Sequence, residues 1–141
     1  MKIAYPTDGS EASIATLQHL IPRLAWFAAK PDIAVLTVHL PLPYARAVAW
    51  AGKDAAQRYY DEESGVVLGR AGDVLAQAGW ACERVMRIGE PAQEIVRFAV
   101  EWGADLVAMG TRGQGALSAM VLGSVAQKVI GSSRVPVLIV H

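Results

Sequence analysis

Five short apolar runs punctuate the chain: KIAYP at 2–6, IAVLTVH at 33–39, CERVMRI at 82–88, ADLVAM at 104–109 and PVLIVH at 136–141. All but CERVMRI are too apolar for strands with one wet face. Near-continuous apolar strands belong in a parallel sheet, whose crossover helices cover both faces. CERVMRI alternates more, which suits an edge. The overall hydrophobic share of 53% fits a core covered in this way.

The gaps between the runs read as helices. Ser10 is an N-cap for a helix over 11–29, with Ile14, Leu17, Ile21, Leu24 and Ala28 on one stripe, which Pro22 should kink or cut short. Over 54–78, Tyr60, Val67, Leu68, Ala71, Leu75 and Ala78 recur at helical spacing. Gly65, Gly69 and Gly72 oppose that helix by about 1 kcal/mol each. Pro91 suits the first turn of a third helix, with Ala92, Ile95, Val96 and Ala99 inward and Gly103 as its stop. A fourth starts near Ser124, with Val125, Val129 and Ile130 inward, and ends at Gly131.

Alternating strands and helices with short links imply a doubly wound α/β layer: five parallel strands in the order 3-2-1-4-5, with helices on both faces. A chain of 141 residues fits a single domain spanning 1–141. In such a sheet the order reverses between strands 1 and 4, and ligands bind in the crevice beyond their carboxyl ends. Two loops meet there, Tyr5-Pro6-Thr7-Asp8-Gly9-Ser10 and the glycine-rich stretch GTRGQGALSAMVLGS at 110–124.

Each loop has two readings. Asp8 and Ser10 can simply cap the first helix while Gly9 makes the turn; equally, a carboxylate at that place can accept from a ribose or a base. The glycines at 110, 113, 115 and 123 can serve turn geometry alone. They can also offer bare amides which, with the positive end of the helix at Ser124, cradle a triphosphate. The P-loop pattern GxxxxGK[ST] is absent, and Gly113-Gln114-Gly115 is followed by Ser118 where a dinucleotide fingerprint needs glycine.

Other function classes are disfavoured. Lysine plus arginine number 13 and aspartate plus glutamate 13, so no global field draws the chain to nucleic acid or an anionic membrane. Trp26, Trp50, Trp80 and Trp102 lie near expected helix ends, where packing is commoner than base stacking. His19, His39 and His141 have no metal-site spacing, and Cys82 is the sole cysteine. No apolar run approaches the roughly 18 to 20 residues of a spanning helix, and MKIAYPTDGS lacks a signal pattern. A cytoplasmic protein is the expectation.

With these loops placed, the chain resembles the universal stress protein family, and in particular its nucleotide-binding branch. That branch carries G, two residues, G, nine residues, then G followed by S or T, which Gly110, Gly113, Gly123 and Ser124 satisfy. YPTDGSEAS, VLTVH, RIGEPAQEIV, ADLVAMGTRG and VPVLIV extend the likeness over nearly the whole chain.

The resemblance implies an adenine nucleotide alpha hydrolase-like fold and, as ligand, ATP or another adenine nucleotide, with Mg as its companion. It implies that Pro6 and Asp8 flank adenine and ribose, with Thr7 in the same nucleotide-binding turn, and that Val38 and Met109 line the base pocket. Gly110, Gly113, Gly123, Ser124 and the Val125 amide would hold ribose and phosphates. Arg112 would be a phosphate neighbour and Asp8 a neighbour of Mg. A one-residue shift would put His39 or Leu40 in the place of Val38. It implies a homodimer through the C-terminal strand 136–141, and a binding or signalling role in the stress response. No dedicated base or lysine stands in the loops, so slow ATP hydrolysis or phosphotransfer is the alternative, and an interaction module with an empty crevice a further one. The apolar segment 41–50 reads as a lid, a partner surface or a cover for the sheet.

Overall fold

The computed structural model describes residues 1–42, 53–111 and 122–141, and from 55 onward the side chains of the second helix. Arg112, Gly113, Gly115 and most of the 41–50 segment lie outside the described residues.

The strands are β1 (Lys2–Pro6), β2 (Asp32–His39), β3 (Glu83–Ile88), β4 (Leu106–Gly110) and β5 (Val137–Val140). They form one parallel sheet in the order β3-β2-β1-β4-β5. The sequence-based order is therefore correct, and the more alternating run is an edge strand.

The helices are α1 (Glu11–Leu20), α2 (Lys53–Gln77), α3 (Pro91–Trp102) and α4 (Ser124–Ser132). Ser10 caps α1, its Oγ accepting from the Ser13 amide at 3.2 Å. The α-helix then tightens into a 3-10 turn, Ile21–Trp26, because Pro22 has no N–H for the Gln18 carbonyl. Glu90 caps α3 by accepting from the Gln93 amide, and Gly103, at φ 70°, ends it.

Alternate residues of each inner strand feed opposite faces. Ile3, Tyr5, Ile33 and Val35 pack with Ile14 and Leu17 of α1 and Leu68 and Leu75 of α2. Ala4, Ala34, Leu36, Val107 and Met109 pack with Ile95 and Phe98 of α3 and Val129 of α4.

Three residues that the periodicity turned inward are exposed. Ala28 lies beyond the 3-10 turn, where the 3.6-residue stripe no longer applies, and Ala78 lies beyond the end of α2. Ile130 is 45% exposed and lines a shallow depression of about 450 Å³ with Val135, Val137 and Ile139, beside the edge strand β5. Ala126 is buried in its stead. Among the described residues, no helix is long and apolar enough to cross a membrane.

Candidate functional site

The crevice opens because β1 parts from β4 before it parts from β2. Its last partner on β4 is Val107, opposite Ala4, whereas towards β2 the pairing runs on to Pro6 opposite Leu36. The Thr7 amide then donates to the Leu36 carbonyl at 2.8 Å, keeping the chain on the β2 side.

Beyond Pro6, hydroxyls build the turn. Thr7 is buried, its Oγ1 sharing a hydrogen with Ser13 Oγ at 2.6 Å and accepting from the Gly9 amide at 3.1 Å. Beneath it the Tyr5 hydroxyl donates to the Ser13 carbonyl at 2.6 Å. Burial pushes that phenol well above its ordinary range, so it remains a neutral donor. Asp8 stands half-buried at the mouth, and its Oδ1 accepts from the Ser10 amide at 3.0 Å and from Ser10 Oγ at 2.7 Å. Gly9 adopts φ 73°, and a Cβ there would meet Val67 Cγ2 of α2 at 2.8 Å.

Opposite this turn, Met109 is buried at the end of β4, in the cluster against which Val38 packs. The sheet's alternation therefore puts Val38, not His39, on the Met109 face. His39 turns to α2, where its Nε2 lies 2.8 Å from Ser64 Oγ and its ring 5.6 Å from that of Tyr60. The Tyr60 hydroxyl in turn accepts from the Leu42 amide at 2.7 Å and donates to the Leu40 carbonyl at 3.2 Å. Gly110 lies against α1, with no room for a Cβ beside Thr16.

The two ends of the glycine-rich loop meet, for the Gly123 amide donates to the Thr111 carbonyl at 2.7 Å. Gly123 then opens α4 without a side-chain cap, at φ −59° and ψ 151°. The amides of Ser124, Val125 and Ala126 have no carbonyl four residues back within the helix, and the helix dipole is positive there. Ser124 is exposed and Val125 half-buried. Lys128 anchors α4 to the start of α3 by donating to Glu90 Oε1 at 3.0 Å.

The fold thus brings Pro6, Thr7, Asp8, Val38, Met109, Gly110, Gly123, Ser124 and Val125 to the carboxyl end of the central strands. The hydroxyl of Thr7 is spent inside the turn, whereas Asp8 and the start of α4 stand at the surface. Chemically this is a site with apolar walls, one carboxylate and several amides. Three residues that shape it escaped sequence reasoning: Ser13 and Thr16 below the turn, and Arg70 on α2, which donates to the Gly9 carbonyl at 3.2 Å. Thr16 and Arg70 act through contacts with Gly110 and Gly9 that are distant in sequence, and Ser13 through a short-range bond to Thr7 that the capping reading of the turn did not include. Among the described residues, no group of three or more His, Cys, Asp and Glu side chains could hold a metal ion.

The model of the universal stress protein family matches residues 1–141. The chain belongs to that family. Universal stress protein MJ0531 of Methanocaldococcus jannaschii is 34% identical over 139 residues, taking in 99% of this chain and 81% of that protein. The solved structure of the hypothetical protein MJ0577 superposes with a TM-score of 0.81 at 29% identity, over 99% of this chain and 94% of that one. A universal stress protein crystallised in complex with cAMP superposes with a TM-score of 0.70 at 27% identity, over 100% of this chain and 96% of that one. This universal stress protein therefore shares its fold with a relative that binds an adenine nucleotide.

Proposed function

We propose that this universal stress protein binds an adenine nucleotide, ATP in the first instance, in the crevice between β1 and β4. The observation that carries the reading is the pairing of an apolar slot, Val38 and Met109, with the uncapped start of α4 at Ser124. A base is flat and apolar-faced, a triphosphate is an anion, and the crevice offers a matching surface to each. The relative that binds cAMP supports the same ligand class.

In this reading Pro6 and Asp8 flank adenine and ribose, and Val38 and Met109 hold the base. The amides around Gly110, Gly113, Gly123, Ser124 and Val125 hold the phosphates, with Arg112 nearby. Asp8 is the only carboxylate of the 5–10 turn, and its Oδ1 already takes two donors from Ser10. An accompanying Mg would thus rest chiefly on phosphate oxygens and water, with Asp8 as neighbour.

We assign no catalytic residue. Rapid phosphoryl transfer needs a positioned nucleophile and strong charge neutralisation, and the described turn supplies amides, hydroxyls and one carboxylate. Function is then signalling by binding from a single cytoplasmic domain during stress: nucleotide occupancy alters the surface that partners meet.

A homodimer accompanies this reading. β5 is an edge strand with Leu138 36% exposed, and the depression beside it, lined by Val135, Val137 and Ile139 together with Ser133 and Arg134, continues onto Ile130. Pairing with β5 of a second copy would cover both.

Mass spectrometry of small molecules released from the protein as purified, with and without added ATP, tests the ligand. Retained or acquired adenine nucleotide supports the reading. Phosphate release above the uncatalysed rate, lost in Asp8→Ala, would favour a hydrolase, and an empty crevice under saturating ATP an interaction module.

A further inference from the structure

We propose that Arg70 is a positioning residue for this crevice: from α2 it fixes the peptide group that orients Asp8, and so sets affinity for the nucleoside end of the ligand. The inference rests on the nucleotide-binding reading and extends it to a residue outside both loops.

The geometry runs through one peptide plane. Arg70 Nη1 donates to the Gly9 carbonyl at 3.2 Å, and its Nη2 donates to Glu11 Oε1 at 2.5 Å. The Gly9 carbonyl and the Ser10 amide belong to the same planar, trans group, so its oxygen and hydrogen point in opposite directions. That Ser10 N–H donates to Asp8 Oδ1 at 3.0 Å. Arg70 therefore grips one end of the plane whose other end grips the carboxylate. A cation on the carbonyl also polarises the amide and strengthens its N–H as a donor.

The guanidinium is well placed for this. Val67, one turn before Arg70 on α2, fills the space where a Cβ of Gly9 would lie, so the turn is seated on the same helix face that carries the arginine. The Arg70 side chain is 42% exposed and that of Glu11 is 87% exposed. Surface ion pairs of this kind contribute little to folding. Orientation of the turn remains as the use of an arginine holding two acceptors at once.

Titration calorimetry of the full chain with adenosine, AMP and ATP tests the proposal, using the wild type, Arg70→Ala and Arg70→Lys. Arg70→Ala is expected to weaken all ligands by the same factor, about three- to tenfold, as the net loss of one ordinary, partly exposed hydrogen bond implies. Arg70→Lys, able to reach one acceptor, is expected to recover part of that. The thermal midpoint should stay close to that of the wild type, and the ligand-free amide resonance of Ser10 should shift in Arg70→Ala.

Unchanged affinity, or an unmoved Ser10 resonance, would overturn the role of Arg70 while leaving nucleotide binding in place. A loss that grows from adenosine to ATP would overturn it too, making Arg70 a direct phosphate contact. A wild type that binds none of the ligands would overturn the nucleotide reading itself, and this inference with it.

Discussion

Gly110, the last residue of β4, lies so close to Thr16 of α1 that a Cβ at position 110 would meet Thr16 Oγ1 at 2.7 Å and Cγ2 at 3.3 Å. The glycine thus has a packing role beneath the crevice, apart from its place in the glycine-rich motif. Gly110→Ala is expected to lower stability by about 2 kcal/mol, in the range typical of overpacking. In Thr16→Ala the obstructing atoms are gone. The double variant should therefore lose markedly less than the sum of the single losses, a coupling that urea denaturation of all four proteins would measure.

Gly9 is constrained differently. Its φ of 73° belongs to the left-handed region, and Val67 blocks a side chain as well. Gly9→Ala should cost about 1 to 3 kcal/mol through backbone strain and crowding together. Adding Val67→Ala should restore only the crowding part. Full restoration in the double variant, by thermal or urea unfolding, would show that the left-handed turn carries no strain.

Acid should loosen the link between α3 and α4. The Glu90 carboxyl is held below the ordinary glutamate value of 4.5, first by the hydrogen bond from Lys128 and then by that from the Gln93 amide. A carboxylate depressed in the folded state contributes stability that is present above the unfolded pKa and lost as pH falls through the folded one. Stability should therefore decline as pH drops below about 4.5, and Glu90→Gln should make that decline shallower. Identical acid-unfolding profiles would contradict this.

Dimerisation through β5 makes a separate prediction. Leu138→Lys puts a charge in the middle of the exposed edge and should shift the protein from dimer to monomer in light scattering, with an unchanged far-UV spectrum. A wild type that is monomeric across the micromolar range would remove the basis for that pairing.

The sheet was legible because buried parallel strands leave uninterrupted apolar runs, and crossover handedness then leaves few orders. Caps were legible too: Ser10, Pro91 and Gly103 act as their local chemistry dictates. Periodicity failed at Ala28, Ala78 and Ile130, because it cannot tell where a helix tightens, where it ends, or which flank faces a sheet edge. At the crevice, spacing and family likeness led to Asp8, Val38, Met109 and Ser124, and alternation on β2 separates Val38 from His39. Among the supports beneath, Ser13 lies inside YPTDGSEAS without its bond to Thr7 being readable there, and Thr16 and Arg70 carry no local signature. Thr16 meets Gly110 and Arg70 meets Gly9 only when the chain has folded.

The most direct test of nucleotide binding is calorimetric titration of ATP into the wild type and Gly123→Val, with thermal midpoints measured alongside. Gly123 sits at φ −59° and ψ 151°, which any residue adopts, so valine there crowds the cradle without straining the backbone. Saturable binding by the wild type, weakened about tenfold or more in a variant that remains folded, is the predicted result. No binding by the wild type, or equal affinity in both proteins, would contradict it.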